Sequence, residues 1–205
     1  MAIYYIGGSP CSGKSTVAQA LAERYGLAYF KADDYLEEFT AQGAAAGLPV
    51  CQRIQCMSAD ETWLRPPEMQ CQEELDYYRE IAPFVTAKLA ALSAPHVIAE
   101  GAAFLPCLMQ NASHYLAITP GRAFQISRYR ERPWVPHVLR DCSDKERAFA
   151  NWMERDALFA EEIRRQCTQL GLPHLLTDGS VPPEERLTQV AALFHLDSLL
   201  CQKHA

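Results

Sequence analysis

The chain has 205 residues and a formal net charge of −6, with 49% hydrophobic and 21% charged residues. That composition supports a packed core and excludes global disorder. The acidic balance argues against a general binder of nucleic acid or anionic membrane, although the basic residues are unevenly chosen, 14 Arg against 5 Lys.

No apolar run approaches the roughly 20 residues needed to span a bilayer. The N-terminal segment Met1–Ile6 lacks the basic and long apolar regions of a signal peptide. A cytoplasmic protein is expected, in one domain over residues 1–205. The eight cysteines form no C-x-x-C pair and read as free thiols. Cys51, Cys56 and Cys71 match no standard zinc-ligand spacing.

In chain order, residues 2–6 predict a short buried strand running into Gly7-Gly8. A helix follows from about Lys14 to Tyr25, with Val17, Ala18 and Leu21 on one face, and stops at Gly26. Further strands are predicted at 27–31, 94–99, 114–118 and 173–177, separated by helical patterns. Such alternation predicts an α/β fold with a parallel sheet and right-handed crossovers. Two connections are long. The first, about 35–93, carries a helix with Cys71, Leu75, Tyr78, Ala82, Val85 and Leu89 at three- and four-residue steps, and Pro83 is expected to kink it. The second, about 120–145, is rich in Arg, and its following helix is expected to start with a capping box, Ser143-x-x-Glu146.

The strongest signal is Gly8-Ser9-Pro10-Cys11-Ser12-Gly13-Lys14-Ser15, which fits G-x-x-x-x-G-K-[ST] between an apolar strand and a helix. Glycines let successive backbone N–H groups turn inward onto phosphate oxygens. The helix N-terminus adds its dipole. Lys14 then reaches the β- and γ-phosphates, and the Ser15 hydroxyl ligates Mg²⁺.

With these residues the chain resembles the P-loop NTPases, and within them the small-molecule and nucleotide kinases of the uridine kinase, shikimate kinase and nucleoside monophosphate kinase types. The resemblance implies a three-layer fold with a five-stranded parallel sheet of order 2-3-1-4-5. It also implies an acceptor-binding insertion at about 35–93 and an Arg-rich lid at about 120–145. ATP and Mg²⁺ are the expected cofactors, with Gly8 to Thr16 (Gly8, Ser9, Pro10, Cys11, Ser12, Gly13, Lys14, Ser15, Thr16) holding the nucleotide phosphates. A GTPase is excluded, because the only Lys with Asp two residues on is Lys31, preceded by Phe30 and placed after the first helix. An AAA-type ATPase lacks room for its helical domain.

Asp33-Asp34-Tyr35 follows the second strand, where a carboxylate can accept the proton of an attacking hydroxyl or hold Mg²⁺. This segment looks like the D-D-F-Y segment of uridine-kinase-like enzymes. Asp33 is the first choice for the base and Asp34 the second; the competing role is a helix N-cap. Glu100-Gly101 ends the third strand, where prototype P-loop proteins place an Asp. Ser15, Asp33 and Glu100 are therefore the candidate metal set.

Seven arginines lie between 122 and 155, and residues 119–140 carry five Arg against one Glu. Guanidinium groups suit phosphates because they bind in a bidentate manner and keep their charge. Arg128 and Arg155 are the candidate catalytic arginines beside Lys14, and Arg122 a candidate nucleotide contact. Asp156 falls on the apolar side of its helix and needs a partner. Three functions remain open. The first is a kinase acting on a hydroxyl of a small molecule. The second is a nucleoside monophosphate-type kinase using Arg53, Arg65 and Arg79. The third is an ATP-binding regulatory protein. Beyond ATP and a small acceptor, no nucleic-acid or membrane partner is expected.

Overall fold

The computed structural model describes residues 1–202, with side chains through Leu199. Five strands form one parallel sheet: β1 (Ala2–Gly8), β2 (Ala28–Lys31), β3 (His96–Glu100), β4 (Tyr115–Pro120) and β5 (His174–Thr177). Their order is β2-β3-β1-β4-β5, as the resemblance implies. The β1–β2 crossover carries α1 (Lys14–Tyr25), and the β2–β3 crossover carries α2 (Leu36–Ala45), α3 (Pro49–Cys56), α4 (Ala59–Trp63) and α5 (Pro67–Ala90), whereas β3 and β4 are joined by a connection with only a 3₁₀ turn at Pro106–Leu108. The second half contributes α6 (Arg122–Arg130), α7 (Val135–Val138), α8 (Lys145–Leu170), α9 (Pro183–Leu193) and α10 (Asp197–Gln202).

The strands are apolar because both sheet faces are covered. Successive side chains point to opposite faces. Val97, Ala99, Tyr115 and Ala117 pack with α5 and α8, while Ile98, Leu116 and Ile118 pack with α1 and α9. A third cluster joins Cys11, Tyr129, Val135, Leu139, Trp152 and Met153. No helix among the described residues is long and apolar enough to cross a membrane.

The central strand shows why the sequence carries Gly7-Gly8. A Cβ on Gly8 would lie 1.9 Å from the Ile118 carbonyl oxygen of β4, and one on Gly7 would lie 2.3 Å from the Phe104 carbonyl oxygen. The backbone there can turn out of the sheet only without side chains.

Two local expectations change. Helix α8 is capped by Asp144, whose carboxylate accepts from the Arg147 N–H at 3.0 Å, and not by a Ser143–Glu146 box. Ser143 is engaged elsewhere, its N–H donating to Asp60 at 2.8 Å. The second is that Pro83 does not interrupt its helix: α5 is one continuous element through it. The seven described cysteines are free thiols, and the side chain of Cys201 lies outside the described residues.

Candidate active site

Ligands of open α/β sheets bind beyond the carboxyl ends of the strands. Here those ends bring together Gly8, Lys31, Glu100, Pro120 and Thr177. The loop after β1 turns through positive φ at Gly8 (119°), Cys11 (59°) and Gly13 (83°). The Thr177 hydroxyl at the end of β5 donates to the Ser12 carbonyl at 3.0 Å, fixing the loop from the other side. Lys14 is buried, and its Nζ donates to the Ser9 carbonyl at 2.7 Å. Both Ser9 Oγ and Ser12 Oγ are buried without a hydrogen-bond partner. Buried polar atoms are ordinarily paired, so two orphan hydroxyls inside a tight turn at a helix start fit a phosphate-binding cradle.

Glu100 is fully buried at the end of β3. Tyr29 of β2 donates its hydroxyl to Glu100 Oε1 at 3.0 Å, and Oε2 has no partner. Burial pushes this carboxyl above the usual range; the Lys14 charge opposes that, Asp33 adds to it, and the Ser15 and Tyr29 hydroxyls oppose it. Lys14, Ser15, Asp33 and Glu100, four residues singled out in the sequence, therefore share one neighbourhood. An orphan carboxylate oxygen near a serine hydroxyl and an exposed aspartate is an oxygen donor set suited to Mg²⁺.

The Glu100 shift has a measurable consequence. Between the ordinary carboxylate pKa and the raised native one, the native state keeps a proton that the unfolded chain releases. Stability therefore falls as pH climbs through that window. Glu100→Gln removes the titration. The variant should gain stability relative to wild type as pH rises from about 4 toward neutrality, read as the difference in Tm. A difference that does not vary with pH would show that Glu100 titrates normally.

Asp33 and Asp34 lie in a single 3₁₀ turn, Ala32–Tyr35, and neither caps α2, whose N-cap residue is Tyr35 with no side-chain cap. Both are exposed. Asp34 pairs with Lys31 at 2.9 Å. Asp33 packs beside Gly101, and its charge raises the pKa values of Glu100, Glu74 and Tyr78.

Behind Asp33 lies an ion network. Arg155 of α8 donates to Asp156 from Nε (2.8 Å) and Nη2 (2.6 Å), and its Nε is 3.2 Å from Glu74 of α5. Its guanidinium stands 5.1 Å from the Trp63 ring centre. Asp156, fully buried, also accepts from Tyr129 at 2.7 Å, so the partner it required is supplied twice over. Asn151, one turn earlier on α8, donates to the carbonyls of Trp63 and Arg65 at 3.0 and 3.2 Å.

On the other side of the loop is a cleft of about 560 Å³, lined by Cys11 to Gly13, Thr16, Phe124, Arg128, Arg132, Thr177 and Gly179. Arg128 lies here, paired with Glu131 at 2.9 Å. Arg122 is not part of the lining; it is exposed and pairs with Glu154. Arg132, not singled out in the sequence, has no carboxylate partner among the described residues. It rests 5.3 Å from the ring centres of both Tyr129 and Trp134, and its charge reaches the Cys11 thiol in the loop. The available signal was its place in the chain, between two aromatic residues and before Pro133. Tyr29 and Glu74 were missed as well.

No family model matches the chain, and no curated protein matches it. Among solved structures, the chain is similar to shikimate kinase from Bacteroides thetaiotaomicron (16% identity, 95% of this chain and 98% of that one, TM-score 0.49). It is also similar to shikimate kinase from Aquifex aeolicus (19% identity, 97% and 99%, TM-score 0.48). A third is the Acinetobacter baumannii shikimate kinase in complex with shikimate (13% identity, 97% and 94%, TM-score 0.48). The fold assignment rests on the strand order and on the loop that closes β1, and both are those of a P-loop NTPase.

Proposed function

We propose that this protein is an ATP-dependent phosphotransferase that moves the γ-phosphoryl group to a hydroxyl of a small molecule. The observation that carries the reading is the meeting of Lys14, Ser15, Glu100 and an exposed Asp33 at the carboxyl ends of β1, β2 and β3.

Each residue then has a task. Backbone N–H groups of Cys11 to Thr16 and the freed hydroxyls of Ser9 and Ser12 bind the phosphates. Lys14 exchanges the Ser9 carbonyl for a phosphate oxygen. Ser15, Glu100 and Asp33 would hold Mg²⁺. Bound there, the ion neutralises charge on the phosphates and lowers the cost of the developing transition state. Asp33 accepts the proton of the acceptor hydroxyl as its oxygen bonds to the γ-phosphorus and the bond to the ADP oxygen breaks. Arg132, held by two aromatic faces and free of carboxylates, is the lid guanidinium best placed to stabilise the transferring group. Arg128 can join it on leaving Glu131, whereas Arg122 and Arg155 are committed to acids.

The test is release of ADP by the full chain with Mg²⁺ and ATP, across nucleosides, nucleotides, sugars and small alcohols. At least one hydroxyl compound should raise the rate well above the acceptor-free rate. ADP release that no acceptor increases would favour the regulatory reading.

A further inference from the structure

Three guanidiniums on the Asp33 side of the loop, Arg53, Arg65 and Arg155, are already matched by carboxylates. Arg53 of α3 and Arg65, which follows α4, both pair with Glu73 of α5, itself only 8% exposed. Arg155 is shared between Glu74 and Asp156. The two sets are continuous. Glu73 and Glu74 are neighbours on α5, the Trp63–Arg65 turn is tied to Asn151 on α8, and Arg155 lies against Trp63. Asp33 closes the region, since its charge is felt at Glu74, Tyr77 and Tyr78. Four carboxylates thus face three guanidiniums. Arg79 adds nothing, because it pairs with Asp76 at 2.6 Å on the exposed side of α5.

An anionic acceptor group would need one of these arginines. Taking Arg155 would strand Asp156, which is fully buried, and an uncompensated buried carboxylate is among the costliest defects in a protein interior. Taking Arg65 or Arg53 would weaken the compensation of Glu73. Without such a rearrangement the anion would meet the Asp33 carboxylate with none of these three guanidiniums released to offset it. Arg132, a lid guanidinium with no carboxylate partner among the described residues, is on the nucleotide side, lining the same cleft as Cys11 and Ser12.

We infer that the phosphoryl acceptor carries no anionic group: the region beside Asp33 takes a hydroxyl compound that is neutral or amine-bearing, and not a carboxylate or a phosphate ester. This inference rests on the phosphotransferase reading above. It sets aside a nucleoside monophosphate as acceptor, for which Arg53, Arg65 and Arg79 would have to be free.

Matched acceptors test it with the full chain, Mg²⁺ and ATP. The probes are a cyclic polyol, the same ring bearing a carboxylate or an amine, and a nucleoside with its 5′-monophosphate. The uncharged or amine-bearing member of each set should give at least about tenfold higher kcat/KM, the effect of one charge-assisted contact. A carboxylated or phosphorylated member that turns over best overturns the inference while leaving the phosphotransferase reading standing. No acceptor-dependent ADP from any member, in these sets or in the wider screen, brings both down. Glu73→Gln provides a second arm, because it frees Arg53 and Arg65. The ratio of kcat/KM for the carboxylated ring over the neutral ring should rise about tenfold. An unchanged ratio in a folded variant overturns the assignment of Glu73 as the group that withholds those arginines.

Discussion

Asp33→Asn should lower kcat for the acceptor by about 10² to 10⁴, the range for removal of a general base, while Mg²⁺-ATP binds within a few-fold of wild type. The replacement keeps the size of the side chain and leaves its exposed 3₁₀ turn intact. It removes the carboxylate charge, and with it the capacity to take a proton. Ser15 and Glu100 remain to support the ion, so affinity should move less than turnover. Steady-state kinetics with a responsive acceptor, beside calorimetric ATP titration, separate the two effects. Turnover that survives would sink the assignment of Asp33 as base. A loss confined to Mg²⁺-ATP affinity would make Asp33 a metal ligand only. Asp34→Asn is the companion variant. Its carboxylate is engaged by Lys31 at 2.9 Å, so the loss should be no more than a few-fold.

The second large effect is on folding. In Gly8→Ala, the new methyl would sit 1.9 Å from the Ile118 oxygen and 2.7 Å from its carbonyl carbon. Both are backbone atoms of β4, and Gly8 is paired to Ile118 in the sheet. No rotamer change relieves such an overlap, so the strands must part at the place where the phosphate loop departs. The residue also holds φ at 119°. A loss of at least about 4 kcal/mol is expected, in the range reserved for severe core defects, measured by urea denaturation. Gly13→Ala is the contrast. Its φ of 83° is strained for alanine, but nothing lies within 4 Å of the added methyl. The backbone cost alone is about 1–2 kcal/mol. Equal losses at the two glycines would show that β1 and β4 do not approach as closely as described.

What the sequence disclosed depended on the range of the interactions involved. The phosphate loop, the strands and Glu100 were legible because motif, strand and helix start are adjacent in the chain. The lid arginines were not. Arg122 finds Glu154 at a separation of 32 residues, and Arg155 finds Glu74 at 81. Spacing along one helix shows which side a guanidinium faces but not which distant carboxylate awaits it. Arg132 stood out only once Tyr129 and Trp134 could be seen as its support. The start of α8 was misjudged for a related reason: Asp60, from a segment more than eighty residues earlier, engages the Ser143 N–H. Asp34 was separated from Asp33 by the neighbouring Lys31, a local pair that the sequence contained but did not rank.

The aromatic junction also makes the molecule its own optical probe. The chain has three tryptophans, and all of them meet at one place. Trp63 and Trp134 lie 4.6 and 5.9 Å from Trp152, with Tyr129 4.9 Å from the same ring. Trp63 belongs to the first long connection, Trp134 to the second and Trp152 to α8, and Cys11 of the phosphate loop joins the apolar cluster that holds Trp63 and Trp152. Tryptophan emission from this protein therefore reports on the junction of the two long connections with α8 beside the phosphate loop. A change in its intensity or wavelength on adding nucleotide or acceptor reads the opening or tightening of that contact directly, without a label.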